Sequence, residues 1–295
     1  MDMSLMIRWR MKKCRKERIR MSMTEQQMIE HLVSKGMTIL SEGQKNQMDA
    51  YRDKRERQDK KHFAWQNTVN HVSQSQSLTD IQKGSLLIMS TFLEFEGEGK
   101  CHDTKGAELT NKKFAKLIGK SVKTANRILD DCESIGAITL EKSGRDKIIK
   151  FTDMLYTCGK PSGDKKQFVK VFKLAVRDLI QTFNLKELGL FADLLPHFHW
   201  KTHILCENPT EMDVSKIKVW RRKDIIEKLG YNKDKLPRMM TRFKRNRATI
   251  EISSTIDVIC LSPSLVSRQS DKVTLDDIEK VAQQIADDLT SKSYC

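Results

Sequence analysis

The sequence predicts a mainly helical protein with small β-hairpin wings: two winged helix-turn-helix domains in tandem behind an N-terminal helical extension. Three observations predict it. Leu109–Thr152 and Val219–Leu261 share one order of elements: a short helix, a tight turn, a basic second helix and a β-hairpin. Both second helices keep apolar residues at helical spacing and turn Lys, Arg, Asn and Thr the other way. The chain as a whole carries 54 Lys+Arg against 39 Asp+Glu, a formal net charge of +15, which suits a polyanionic partner.

Residues 1–20 hold Arg8, Arg10, Lys12, Lys13, Arg15, Lys16, Arg18 and Arg20 and no apolar segment, which excludes a secretory signal there. They read as a translated leader ahead of Met21 or Met23, with a basic arm that tracks DNA as the weaker alternative. Residues 21–76 read as a helical extension and linker. Met28, Ile29, Leu32, Val33, Met37 and Leu40 punctuate its first part, Arg52–Lys61 is a solvated charge run, and Asn67–Ser77 is a polar connector.

The first winged domain is placed at residues 77–156. Leu78–Phe95 supplies its scaffold helix through Ile81, Leu86, Leu87, Met89, Phe92 and Leu93, and Glu96–Lys105 is a loop. Thr110 stands at an N-cap position, Phe114, Ala115, Leu117 and Ile118 form one apolar face, and Gly119 breaks the helix. Ser121 caps the next helix, in which Val122, Ala125, Ile128, Leu129 and Cys132 face inward and Lys123, Thr124, Asn126 and Arg127 outward. After Gly136, Ala137–Lys142 and Lys147–Thr152 read as strands about a turn that carries Arg145.

Residues 157–166, with Gly159, Pro161 and Gly163, read as a domain linker. The second winged domain, 167–268, begins with two expected scaffold helices, Phe168–Phe183 and Leu185–Leu195, followed by an irregular stretch, His197–Lys218. Arg221–Leu229 is the short helix, Gly230 the turn and Asn232 the expected cap; Leu236, Met239, Met240 and Phe243 face inward. Lys233, Lys235, Arg238, Thr241, Arg242, Lys244 and Arg245 face outward, and Pro237 implies a late or kinked helix start. Ala248–Ser253 and Ile256–Leu261 alternate as a hairpin around Ser254–Thr255. Residues 269–295 close with an amphipathic helix, Val273–Leu289. Its stripe of Leu275, Ile278, Ala282, Ile285 and Leu289 is too narrow to be a core, so it must dock on its own domain or on a second subunit; a homodimer is the favoured reading.

The second domain resembles the RepL-type plasmid replication proteins of Gram-positive bacteria and their phage relatives. The resemblance lies in the opening Phe168–Val169–Lys170, the helix pairs, the hairpin and the closing Leu261–Ser262–Pro263–Ser264–Leu265–Val266–Ser267–Arg268, with Ser262 where that family usually has Asn. It implies binding at a plasmid or phage origin or operator. The first domain is similar to the generic, MarR-like winged-helix class of bacterial regulators.

Other classes fit less well. The seven cysteines contain no C-x-x-C pair, which speaks against a disulfide framework and suits the cytoplasm. No run of eighteen apolar residues occurs, so no spanning helix or membrane partner is expected. His197–Phe198–His199 with Tyr156 and Lys160 mimics a rolling-circle nickase, but the tyrosine precedes the histidines and lies beside a Pro/Gly run. His197, His199, His203 and Cys206 match no zinc-finger spacing, and no phosphate-binding loop appears.

The expectation is therefore a non-enzymatic protein without cofactor or metal that binds double-stranded DNA in the cytoplasm. It would act as a replication initiator at an origin or, alternatively, as a transcriptional regulator at an operator, and recruit host replication or transcription proteins; a protein-interaction scaffold is the distant third. The candidate DNA-contacting residues are Ser121, Lys123, Thr124, Asn126, Arg127, Arg145, Lys233, Lys235, Arg238, Thr241, Arg242 and Arg245. Asn126 and Arg127 are the types suited to base edges, while the second helix suits phosphates.

Overall fold

The computed structural model describes residues 25–36, 40–57, 59, 61–252 and 258–293. The basic stretch 1–20, Met37 and the Ser254–Thr255 turn lie outside the described residues. The chain divides into two units, residues 1–57 and 58–295. In the first, Gly36, at φ +72°, follows helix α1 (Glu25–Ser34). Ser41 and Gln44 exchange side-chain and backbone bonds at the start of α2 (Glu42–Arg57). The described side chains of α2 are exposed, as its charge density predicts.

The second unit is built around a four-stranded antiparallel sheet of order β4-β1-β5-β8: Tyr156–Thr157, Phe63–Asn67, Phe168–Phe172 and Val266–Ser267. β1 and β5 are the central pair, with Trp65 opposite Lys170. Each is followed at once by a short helix, α3 (Thr68–Gln74) after β1 and α7 (Lys173–Asp178) after β5. Next come the scaffold helices α4 (Asp80–Ser90) and α8 (Leu185–Leu194). From β1 to α4 and from β5 to α8 the elements begin at Phe63, Thr68 and Asp80, then at Phe168, Lys173 and Leu185, a constant step of 105 residues. Both scaffold helices open with reciprocal capping boxes, Thr79 with Gln82 and Asn184 with Glu187.

α4 and α8 lie backbone to backbone because each carries a glycine at the crossing. A Cβ at Gly84 would overlap the carbonyl oxygen of Leu185, and one at Gly189 would overlap that of Asp80. Around this crossing Leu86, Leu87, Ile88 and Met89 pack with Leu188, Leu190, Phe191 and Ala192, all essentially inaccessible. Phe243 meets Phe183 and Phe191 edge to face at centroid separations of 5.1 and 6.0 Å.

On this base stand two segments that each run helix, turn, helix and β-hairpin. α5 (Asn111–Leu117) and α6 (Val122–Ser134) are joined through Gly119 at φ +63°, with Thr110 and Ser121 as side-chain caps. β2 (Ile138–Ser143) and β3 (Asp146–Phe151) form the first wing, closed by Gly144–Arg145 with Gly144 at φ +60°. α9 (Arg222–Leu229) ends at left-handed Gly230, and α10 (Leu236–Arg245) starts late with Pro237 in its first turn. Asn232 caps the turn ahead of α10, accepting from the backbone N–H groups of Asp234 and Lys235, rather than the helix itself. β6 (Thr249–Ile252) and β7 (Val258–Leu261) form the second wing.

Several expectations are corrected. Phe168–Phe183 is not one helix: Phe168–Phe172 alternates aromatic and β-branched residues around Lys170, is buried throughout, and forms the central strand β5. Asn67–Ser77 is not a plain connector, because Asn67 accepts from the N–H of Asn70 and caps α3. The scaffold helix read as Leu78–Phe95 spans Asp80–Ser90, and Val122, read as inward, is exposed. Residues 157–166 join β4 to β5 within one sheet, so they do not separate two domains.

The C-terminal helix α11 (Leu275–Ser293) buries Ile278, Ala282 and Ile285 against Ile204, Cys206, Ile217, Val258 and Cys260 of the same chain. These three residues of the stripe are thus covered from within the chain. His197–Lys218, irregular in sequence, supplies that bed: Leu205 N–H donates to Ile259 O, and bridges link Ile204 to Cys260 and Cys206 to Val219. No helix among the described residues is long and apolar enough to cross a membrane.

Candidate nucleic-acid interface

α6 presents Lys123 and Arg127 to solvent, and Arg145 stands exposed at the tip of the first wing. Neither Lys123, Arg127 nor Arg145 pairs with a carboxylate among the described residues. Ser121 and Thr124 build the helix cap: Ser121 Oγ accepts from the Thr124 N–H at 3.2 Å, and the two hydroxyls lie 3.0 Å apart. The wing's lysines are largely neutralised, Lys147 by Asp130 at 2.6 Å and Lys150 by Glu141.

Asn126 departs from its expected role. Its Oδ1 accepts from Asn111 Nδ2 at 2.8 Å, and Asn111 Oδ1 accepts from the Lys147 N–H at 3.1 Å, which ties α5, α6 and the wing together. Bidentate reading of adenine requires both polar atoms of an amide, and here the oxygen is occupied. Arg127 is the α6 residue left suited to a base edge.

Lys233 and Lys235 in the turn ahead of α10, and Arg238 and Arg245 on it, are exposed. Thr241 turns its hydroxyl back to donate to the Pro237 carbonyl at 2.8 Å. Arg242, its side chain still 44% exposed, is tied to the scaffold: Nη1 lies 2.5 Å from Glu187 Oε1, Nη2 donates to Thr182 O, and the guanidinium sits 5.7 Å from the Phe183 ring. It fastens α10 to α8. Arg242→Ala is therefore expected to lower stability by about 1–3 kcal/mol, because Glu187 loses its counter-charge and keeps only the Asn184 N–H. Urea titration checks it.

Behind the interface lies a polar constellation that sequence patterning missed. Asp193, 3% exposed, accepts from His71 Nε2 at 2.9 Å, Lys83 Nζ at 2.7 Å and the Tyr231 hydroxyl at 2.7 Å. Gln66 Nε2 lies 3.1 Å from His71 Nδ1 and donates to the Tyr156 hydroxyl at 3.0 Å. Burial works to raise the Asp193 carboxyl, but the bonds and charges of His71 and Lys83 outweigh it and hold the group below its usual range. Burial and the Asp193 charge push the Tyr231 phenol up, so it stays a donor. Because Tyr231 follows Gly230, the network anchors the turn of the second helix-turn-helix to α3, α4 and α8.

The residues that mimic a nickase serve the core. Tyr156 is 1% exposed, and burial pushes its phenol up, away from the phenolate a nucleophile requires. His197 stacks on Trp220 at 4.2 Å and is brought down to about 4 by burial. His199 Nε2 lies 2.7 Å from the Glu211 carbonyl, and His203, fully buried and brought down to about 3, lies 3.2 Å from the Leu261 carbonyl. Burial pushes the Cys206 thiol up to about 12. Among the described residues no group of three or more His, Cys, Asp or Glu is placed to hold a metal. No protein-family model, curated protein or solved structure matches this chain.

Proposed function

We propose that this chain is a cytoplasmic double-stranded DNA-binding protein of plasmid or phage type, which acts by occupancy as a replication initiator at an origin. The observation that carries DNA binding is the sorting of cations. On the two helix-turn-helix segments Arg242 and Arg222 are paired, with Glu187 and with Glu251 at 2.7 Å, whereas Lys123, Arg127, Arg145, Lys233, Lys235, Arg238 and Arg245 stay exposed without a carboxylate partner. A helix of this kind suits the major groove, with arginine as the residue for guanine edges and phosphates.

The initiator role rests on the resemblance of Phe168–Lys170 and Leu261–Arg268 to the replication proteins. In the fold these segments meet: Lys170 lies opposite Ser267 and Val171 opposite Val266, so one opens and the other closes the second module. The same surface on an operator would make the chain a regulator, the reading favoured by its MarR-like first module. Iterated direct repeats under a footprint support the initiator, and a single site over a promoter supports the regulator.

Arg238→Ala combined with Arg245→Ala is expected to weaken binding to all duplexes and to reduce the slope of log affinity against log salt by about 2. The melting behaviour should not change, because both side chains are exposed. An unchanged slope removes α10 from the interface.

A further inference from the structure

We infer that one chain by itself spans a DNA site of two unlike half-sites in inverted orientation, its two modules standing in for the two subunits of a dimer. The inference rests on the DNA-binding reading and adds the form of the target and the number of chains on it.

In an antiparallel pair generated by a two-fold axis, the residue on the axis meets its own equivalent. β1 and β5 meet at Trp65 and Lys170, which are separated by the same step as Phe63 from Phe168 and Asp80 from Leu185. The sheet order β4-β1-β5-β8 repeats this from both ends, since β4 follows the first wing and β8 the second.

The helix crossing obeys the same axis: Gly84 faces the carbonyl of Leu185, the first residue of α8, and Gly189 faces that of Asp80, the first residue of α4. Three independent contacts therefore relate the modules by a half-turn. A half-turn leaves position along its axis unchanged, so α6 and α10 stand at the same level with opposed directions. Dimeric helix-turn-helix proteins offer that arrangement to two major-groove segments one helical turn apart.

The seam that would join two subunits is here inside one chain, held by backbone contact at the two glycines. The equivalence ends at the reading surfaces. α6 has 13 residues and offers Lys123 and Arg127, whereas α10 has 10 and offers Arg238 and Arg245, with Lys233 and Lys235 in the turn before it. Two different helices read two different half-sites, and nothing in the protein requires the DNA to be palindromic.

Selection of random duplexes by the full-length protein, followed by base-protection footprinting and native mass measurement of the complex, tests this. The expected result is one chain on a non-palindromic site with two protected major-groove segments about 10 base pairs apart. Arg127→Ala should relax base preference in one half only and Arg238→Ala in the other, Arg127→Ala weakening the selected site by about tenfold. Both positions are exposed, and unchanged circular dichroism checks that the variants fold. Two chains on a symmetric palindrome, or protection of a single groove segment, overturns the inference while DNA binding stands. No enriched sequence and no salt-dependent binding overturns the DNA-binding reading itself.

Discussion

Asp193→Ala is expected to destabilise the protein by about 3–5 kcal/mol, because it leaves the ammonium of Lys83 buried without its counter-charge, strips His71 of its acceptor and leaves Tyr231 only the longer bond to Asp80. The loss should exceed that of Tyr231→Phe, which removes the phenol's bonds to Asp193 and Asp80, about 1.5–3 kcal/mol. Urea unfolding of the two variants gives the comparison. A cost for Asp193→Ala below about 1 kcal/mol would mean that the constellation does not hold the modules together.

Acid is expected to unfold the protein early. His197 and His203 are held neutral by burial, at about 4 and about 3, while in the unfolded chain histidine titrates near 6.5. Between those values the unfolded state binds more protons, so stability is full above about pH 6.5 and falls as the pH drops, by about 1.4 kcal/mol per unit for each group. By pH 5 the two together should cost about 4 kcal/mol. Asp193 has the same sign lower down: its depressed carboxyl stabilises the fold above the ordinary carboxylate range, and that contribution disappears as the pH falls through its folded value. His197→Phe keeps the stack on Trp220 without the proton site and should recover about half of the loss at pH 5 in thermal melts. Equal melting at pH 7.5 and 5 in the unaltered protein would contradict the burial of both imidazoles.

What the sequence made legible was local. Thr110 and Ser121 as caps, Gly119 and Gly230 as breaks, the delayed start at Pro237 and both hairpins follow from signals within a few residues. β1 and β5 escaped because each is short and runs straight into a helix, so apolar residues of the strand merge into the helical period, and because the partner strand is remote. The Pro/Gly run at 157–166 looked like a boundary, yet Trp65 Nε1 donates to Gly159 O and pins it to the sheet.

The site shows the same limit. Periodicity places Asn126 and Arg242 outward, but it does not register the neighbours that arrive from elsewhere, Asn111 from α5 and Glu187 from α8. Lys83 and Asp193 left one signal: each is a charge among apolar residues of a scaffold helix, and a buried charge needs a partner.

The central place of β5 in the sheet also bears on how the protein is made. β1 leaves the ribosome with the first module, but the strand that belongs beside it follows about 100 residues later, a delay of roughly 5–20 s at ordinary rates of synthesis. For most of that interval both edges of β1 are open, because β4 is made only about 10 residues ahead of β5, and the edge meant for β5 stays open throughout. Any β5 fits that edge, including one from a neighbouring nascent chain on the same message. Slow translation between the modules thus favours chains that have exchanged halves, and expression that keeps ribosomes sparse favours the closed monomer.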